Sequence, residues 1–206
     1  MYSGAYKNTT QKTKTMTDLK TFLNSLIPIS AESWGKFAAL FTPQILKKGD
    51  YFITAGQIAK EIGFLESGIV RAFYRNNEGV EYNKHFFLNP CFIGGYASLI
   101  TKKPNQINQQ ALINCNIQTA KYAEIQALFK TCPDIERATR ILAELFFVQK
   151  EQREIEIVLL DADKRYEIFQ KEFPQLEQQI PQYHIASYLG ITATQLSRIR
   201  RKLAYK

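Results

Sequence analysis

Residues 181–203 read PQYHIASYLGITATQLSRIRRKL and predict a helix-turn-helix. Ala186 is small enough for two helices to approach closely, and Gly190, four residues later, lets the chain leave the first helix. Apolar residues are spaced so that they lock two packed helices together: Ile185, Leu189, Ile191, Leu196 and Ile199. We expect the second helix to run from about Thr192 to Ala204.

The second predicted helix carries polar and basic side chains away from these apolar contacts. Between residues 178 and 206 the chain has five Lys or Arg residues and no Asp or Glu, so the local field attracts a polyanion. Hydroxyl, amide and guanidinium groups are the ones that contact base edges and phosphates. The predicted DNA-contacting residues are Thr192, Thr194, Gln195, Ser197, Arg198, Arg201 and Lys202. The alternative is a surface helical hairpin with a basic face.

The composition is that of a soluble globular protein. The 206 residues, 45% of them hydrophobic and 22% charged, allow two modest domains, and no run approaches the roughly 20 apolar residues of a membrane span. Three widely spaced cysteines without a C-x-x-C pair predict reduced thiols, a cytoplasmic location and no metal or other cofactor. No catalytic pattern of nucleophile and base is recognisable, so we expect no enzymatic activity.

Three segments precede the long helical region. Residues 1–16 are polar and lack an apolar h-region, which predicts a disordered lead-in. From about Asp18 to Ala39 apolar residues recur at three- and four-residue steps, which predicts a helical cap with a break at Pro28. From about residue 43 to 124 short β-rich runs alternate with glycines, and Asn76–Gly79 has the composition of a hairpin turn. This pattern predicts a β-roll or sandwich.

From Asp134 the pattern is helical for more than twenty residues. Its broad apolar stripe approximates a seven-residue repeat, which is typical of a helix that pairs with a second helix. We therefore predict a homodimer formed through a helix over residues 134–160. The predicted dimer contacts are Ile135, Ala138, Leu142, Leu145 and Phe146. The alternative is that the stripe packs only on the β domain of its own chain.

Two blocks of this sequence resemble the Crp/Fnr family of bacterial transcription regulators. Residues 46–71 have glycine spacing similar to that of the cyclic-nucleotide-binding β-roll, and IASYLGI with LSRI at residues 185–199 matches the family's helix-turn-helix. The resemblance covers the chain after about residue 17. It implies an α+β protein with an N-terminal antiparallel, jelly-roll-like β-roll over residues 17–133, a dimerisation helix over 134–160 and a helix-turn-helix domain over 161–206. This last domain is expected to be of winged-helix type with a truncated wing, since three residues follow Leu203.

The same resemblance implies partners. Regulators of this family bind double-stranded, palindromic operator DNA as homodimers, contact RNA polymerase and respond to a small-molecule effector. Arg198 matches the family's base-reading arginine, which favours guanine through paired donors. Ala193 and Thr194 stand where the best-known members carry Arg and Glu. We therefore expect an operator that differs from theirs.

Departures from the family pattern concern the effector site. Nucleotide-binding members use F-G-E-x-x-L, whose Glu accepts from the ribose hydroxyl, and R-[ST]-A, whose Arg pairs with the cyclic phosphate. Here Gly95 replaces the Glu, while Gln109 and Gln110 replace the Arg and the Ser/Thr. A buried phosphate without a cation is costly, so we expect no ordinary cyclic-AMP binding. The residues of this degenerate cassette are Arg71, Phe92, Gly94, Gly95, Tyr96, Ala97, Ser98, Gln109 and Gln110.

Other sensor chemistries and functions are less well supported. The first cysteine is Cys91, whereas the oxygen-sensing branch needs several cysteines near the N-terminus to hold an iron-sulfur cluster. The roll contains one histidine, His85, which we interpret as a packed or surface residue and not as a haem ligand. A metal-dependent β-barrel enzyme needs more histidines than this. The alternative function is a ligand-binding β-roll whose basic tail binds RNA or a protein partner.

Overall fold

The computed structural model describes residues 18–204, so the predicted lead-in of residues 1–16 lies outside the described residues. The strands are β1 (Thr42–Leu46), β2 (Tyr51–Ile53), β3 (Glu61–Ser67), β4 (Ile69–Arg75), β5 (Glu81–Leu88), β6 (Cys91–Ile93), β7 (Asn108–Ala111) and β8 (Cys115–Lys121). The α-helices are α1 (Leu19–Leu26), α2 (Ala31–Ala38), α3 (Tyr96–Thr101), α4 (Tyr122–Leu128), α5 (Pro133–Leu159), α6 (Ala162–Glu172), α7 (Gln182–Leu189) and α8 (Ala193–Ala204). A short 3₁₀ helix spans Leu176–Gln178.

The first two helices form the predicted helical cap. A carboxylate oxygen of Asp18 accepts from the backbone N–H of Thr21 at 2.7 Å, and the hydroxyl of Ser30 accepts from that of Ser33 at 3.1 Å. These N-caps fix where α1 and α2 begin. The break predicted at Pro28 is confirmed, since Ile27 has extended backbone between the two helices.

The strands form the predicted β-roll. One four-stranded sheet has the order β1-β8-β3-β6, and the other has the order β2-β7-β4-β5. β8 lies antiparallel to β1 and to β3, so it joins the first and third strands of the chain. The predicted hairpin turn is confirmed: the backbone N–H of Gly79, a residue with φ 84°, donates to the carbonyl of Asn76 at 3.0 Å.

The chain divides into two compact units. The first contains residues 18–72 and 86–144, and the second contains residues 73–85 and 145–204. The second unit therefore combines the turn between β4 and β5, hereafter the β4–β5 hairpin (residues 73–85), with the C-terminal helices. The sequence predicted a different organisation, in which the whole β region lies in one domain. None of the helices within residues 18–204 is long and apolar enough to cross a membrane.

The core of the first unit is rich in phenylalanine. The rings of Phe22, Phe64 and Phe92 lie with centroids 5.2 to 5.9 Å apart. Ile135, Ala138 and Leu142, from the first half of α5, belong to the same cluster. Because Ile135 and Ala138 are each 1% exposed, the prediction that these three residues contact a second chain needs correction. The alternative, packing on their own β domain, describes them better.

The core of the second unit is also aromatic. Phe169 and Phe173 of the α6 region and Tyr188 of α7 have ring centroids 5.4 to 5.8 Å apart. The carboxylate of Asp161 caps α6 by accepting from the backbone N–H of Lys164 at 2.8 Å. This cluster therefore fixes α7 on α6. No strand follows α8 within residues 18–204.

Candidate nucleic-acid interface

The turn between α7 and α8 has the geometry that the sequence predicted. Gly190 has φ 68°, a left-handed conformation that glycine adopts without steric cost. The backbone N–H of Ile191 donates to the carbonyl of Ala186 at 3.0 Å, and that of Gly190 donates to the carbonyl of Ser187 at 3.2 Å. This pair of bonds is a Schellman motif, which turns the chain sharply after α7.

Buried apolar residues join the two helices, as predicted. Ile185 and Leu189 of α7 and Leu196 of α8 are at most 1% exposed, and Ile199 is 8% exposed. Ala186 is also buried, in agreement with its predicted place at the close approach. The opposite side of α8 is left in solvent. All seven predicted DNA-contacting residues are exposed.

Two of the predicted DNA-contacting residues have a structural task as well. The Gln195 side-chain oxygen accepts from the backbone N–H of Thr192 at 2.9 Å, and the Thr192 hydroxyl accepts from the backbone N–H of Gln195 at 3.2 Å. This reciprocal pair is a capping box, which satisfies free N–H groups at the first turn of a helix. Thr192 and Gln195 therefore fix the start of α8.

The basic residues of α8 differ in their surroundings. The Lys202 ammonium pairs with the carboxylate of Asp163, which raises the pKa of Lys202 through that hydrogen bond. Arg200 is half-buried, with its Nε 3.9 Å from a carboxylate oxygen of Glu177. Within residues 18–204, no ion pair involves Arg198 or Arg201. These two guanidinium groups are therefore the cations of α8 most available to a polyanion.

Arg153 of α5 holds α7, a contact that the sequence did not reveal. Its guanidinium carbon lies 3.9 Å from the ring centroid of Tyr188, and its Nη2 donates to the carbonyl of Tyr188 at 2.6 Å. A carboxylate oxygen of Glu156 lies 2.8 Å from the Arg153 Nη1. A cation over an aromatic ring is attracted by the ring's quadrupole, so Arg153 stabilises the C-terminal turn of α7.

The degenerate cassette of the first unit has no room for the family's glutamate at position 95. A Cβ added to Gly95 would lie 2.9 Å from the side-chain oxygen of Asn105 and 3.2 Å from the terminal methyl of Ile53. Asn105 is 6% exposed, and its side-chain NH₂ donates to the carbonyls of Thr54 and Ile107. The space that a glutamate needs is therefore occupied by an anchored asparagine, which sequence reasoning missed.

The two glutamines of the cassette bond to the protein itself. The side-chain NH₂ of Gln109 donates to the carbonyl of Gly94 at 3.0 Å, and that of Gln110 donates to the carbonyl of Gly49 at 3.0 Å. Arg71, 5% exposed, donates from Nε and Nη2 to the Gln110 oxygen at 3.0 and 2.7 Å. Amide and guanidinium groups that would face a ligand thus face one another.

The remaining cassette residues do not all meet at this point. Phe92 belongs to the phenylalanine core, and this correction follows from its strand position on β6. Ser98 is buried and accepts from the backbone N–H of Ala59 at 3.0 Å. Ala97 is exposed. Tyr96 is also exposed and lines an open groove of about 570 Å³ together with Tyr122 and Phe129.

Comparisons with known proteins identify the fold. No family model matches the sequence, and no curated protein matches it. Among solved structures, CLP of Xanthomonas campestris, described as a c-di-GMP-responsive global regulator, has 17% identity and a TM-score of 0.67, covering 85% of this chain and 92% of CLP. FixK2 of Bradyrhizobium japonicum has 16% identity and a TM-score of 0.71, covering 80% and 85% of the two chains.

A third similar structure carries the family designation. A protein of Eubacterium rectale described as a regulator of the Crp/Fnr family has 17% identity and a TM-score of 0.69, covering 86% of this chain and 84% of its own. These likenesses confirm the α+β fold expected from the sequence. The chain has the Crp/Fnr fold, with a cyclic-nucleotide-binding-like β-roll, a long helix and a C-terminal helix-turn-helix.

Proposed function

We propose that this protein is a sequence-specific DNA-binding transcription regulator of Crp/Fnr type. The observation that carries this proposal is the surface of α8. Buried Leu196 and Ile199 hold one side of the helix against α7, while Arg198 and Arg201 stand exposed on the other without an ion pair inside the described residues. A rigid helix with exposed arginines is suited to the major groove of DNA.

The charge distribution supports the same function. The segment from residue 178 to 204 contains no carboxylate side chain, whereas residues 134–177 contain eleven. The positive charge is therefore concentrated on the helix-turn-helix. Contacts with phosphates supply much of the affinity of such proteins and steer their approach to DNA.

The protein is proposed to act as a homodimer through the second half of α5. Phe147, Val158 and Leu159 are 66 to 79% exposed, and Val148 and Ile155, seven residues apart, are about half exposed. Large exposed apolar patches mark interaction sites. The predicted contacts Leu145 and Phe146 are half-buried at the start of this strip. We therefore move the proposed dimer contact along α5 toward its C-terminal end.

The sensor is proposed not to bind cyclic AMP. Asn105 occupies the place of the missing glutamate, and Gln110 already engages Arg71. Both groups that would recognise a cyclic phosphate and its ribose are absent or already bonded. An effector of another kind, if it acts through the roll, has to displace these bonds.

Binding to nucleic acids of different kinds tests the function. The full-length protein is titrated against a labelled random duplex pool, single-stranded DNA and RNA, and bound duplexes are then sequenced. We expect duplex DNA to bind best and a two-fold-related site to emerge from the selection. Tighter binding to RNA, or a selection without any enriched sequence, contradicts the proposal and favours the alternative of a roll with an RNA-binding tail.

A further inference from the structure

The β4–β5 hairpin is hydrogen-bonded to the first helix of the helix-turn-helix. The backbone N–H of Asn83 donates to the Ser187 hydroxyl at 2.9 Å, and that hydroxyl donates to the carbonyl of Glu81 at 2.7 Å. The side-chain NH₂ of Asn83 donates to the carbonyl of His184 at 3.0 Å and lies 3.3 Å from the His184 Nδ1. These contacts join residues more than 100 positions apart within the second compact unit.

This junction is buried and specific. Asn83 is 6% exposed and His184 is 4% exposed. A buried amide or hydroxyl that loses its partner cannot turn to water instead, so these bonds hold the hairpin and α7 in one relative position. The ring of His85 adds an edge contact with Phe173, with centroids 5.9 Å apart. The hairpin is therefore packed as a part of the DNA-binding unit.

The hairpin is also continuous with the effector cassette. β4 runs from Ile69 to Arg75, so it passes from the first unit to the second between Ala72 and Phe73. Arg71, on the same strand, makes the two hydrogen bonds to Gln110. Gln110 in turn bonds to the carbonyl of Gly49. One strand thus carries a cassette residue near the point where it enters the hairpin.

We propose that the β4–β5 hairpin transmits the state of the cassette to the helix-turn-helix, with Asn83 and Ser187 as the positioning residues. A change at Gln110 alters the hold on Arg71 and hence on β4. The hairpin passes this change to α7 through the Asn83–Ser187 junction, and α7 carries α8. This route is separate from α5, which holds α7 through Arg153. The inference rests on the proposed function, since its output is the position of the DNA-binding helix.

A double-mutant cycle tests the route. Gln110→Ala is combined with Ser187→Ala, which removes two hydrogen bonds of the junction and adds no bulk. In the otherwise unchanged protein, we expect Gln110→Ala to change affinity for the selected duplex roughly fivefold or more, the lower range of measured allosteric couplings. In the Ser187→Ala background the same change should alter affinity less than about twofold. Asn83→Ala is the second junction variant.

Amide hydrogen exchange gives a readout that needs no DNA. Gln110→Ala should speed exchange in residues 182–189 of the otherwise unchanged protein and leave that exchange unaffected in the Ser187→Ala background. Ser67→Ala is the matched control, since Ser67 lies on β3 and accepts from the side chain of Asn116 at 3.0 Å. The effect of Gln110→Ala should persist in the Ser67→Ala background.

The possible outcomes separate the two proposals. Equal effects of Gln110→Ala with and without Ser187, or no effect of Gln110→Ala in a protein with native circular dichroism, overturn the hairpin route. Failure of the unchanged protein to bind duplex DNA overturns the proposed function, while the exchange experiment still decides whether the hairpin couples the cassette to α7. If Ser187→Ala does not fold, Asn83→Ala decides by the same comparison.

Discussion

At the scale of single residues, Arg198 and Arg201 are expected to differ in what they read. Arg198→Ala should cost about 1 to 3 kcal/mol of binding free energy at the preferred site and relax preference at one base pair per half-site. Arg201→Ala should weaken all duplexes alike and lower the slope of log affinity against log salt by about one unit. Quantitative sequencing of selected sites, with titrations at several salt concentrations, measures both effects.

Two results bear on that assignment. If Arg198→Ala weakens every duplex equally, the side chain contacts phosphate and not a base. Lys202→Ala is the comparison variant, because its ammonium is already paired with Asp163. It should change the salt slope less than Arg201→Ala does.

The cassette residues predict the response to cyclic nucleotides. The unchanged protein should give no binding heat with millimolar cyclic AMP or cyclic GMP in calorimetry. Gly95→Glu with Gln109→Arg alone should not restore binding, because the new side chain at position 95 would meet Asn105. Adding Asn105→Ala removes that obstacle, so the triple variant is the one expected to gain affinity. Micromolar binding by the unchanged protein contradicts this explanation.

His85 predicts a pH dependence of stability. Burial, with smaller contributions from the charges of Lys84 and Arg153, lowers the pKa of His85 to about 4, whereas an unfolded histidine has a pKa of about 6.5. Folding therefore favours the neutral ring. The corresponding stability is present above pH 6.5 and is lost as the pH falls toward 4, by an amount on the order of 1 to 3 kcal/mol.

A substitution isolates this contribution. His85→Phe keeps an aromatic ring opposite Phe173 and cannot take up a proton. Urea unfolding at pH 7.5 and pH 5 should show a smaller loss of stability for this variant than for the unchanged protein. Equal losses in the two proteins would assign the pH dependence to other groups.

At the scale of elements, the start of α8 depends on its capping box. Thr192→Ala removes the hydroxyl that accepts from Gln195 and should lower the free energy of unfolding by about 1 kcal/mol. Thr194→Ala, an exposed threonine two positions later, is the matched control and should leave stability unchanged. Urea unfolding of both variants measures the difference. A similar loss in both would mean that the capping box contributes nothing particular.

The sequence predicted the elements whose signals are local. The Gly190 turn, the apolar contacts of α7 with α8 and the break near Pro28 each follow from a few neighbouring residues, and each is confirmed. The dimer stripe was assigned wrongly in part, because periodicity shows that a helix face is apolar but not what covers it. Ile135 and Ala138 turned out to face their own core.

Contacts between distant parts of the sequence could not be predicted. Asn105 lies ten residues from Gly95, and no motif marks it as the side chain that fills the empty place. Asn83 reads as an ordinary strand residue, and its partners His184 and Ser187 lie a hundred residues away. The roles of these residues depend on tertiary packing, which propensity and spacing do not encode.

At the scale of the whole molecule, the exposed strip of α5 predicts a dimer. Light scattering at micromolar concentration should give about twice the 23.8 kDa of one chain. Val158→Glu places a charge on a side chain that is 79% exposed in the single chain and should shift the mass toward the monomer, since an unpaired charge is costly in an apolar interface. DNA affinity should fall with it.

A control shows whether the effect is local to α5. Ile58→Glu also puts a charge on an exposed apolar residue, 51% exposed, in the roll. It should leave the mass of the particle unchanged. A monomeric mass for the unchanged protein, or loss of the dimer in both variants, contradicts the assigned interface.

The placement of residues 73–85 in the second unit has a consequence for modularity. A fragment cut near residue 160 would keep α6, α7 and α8 but leave behind the hairpin that satisfies Ser187 and covers His184. Such a fragment would expose polar groups and an aromatic surface that the intact chain encloses. The DNA-reading end of this protein is therefore not a cassette that recombination can transfer by a single crossover. Exchanging it between regulators requires the matching hairpin from the middle of the roll to travel with it.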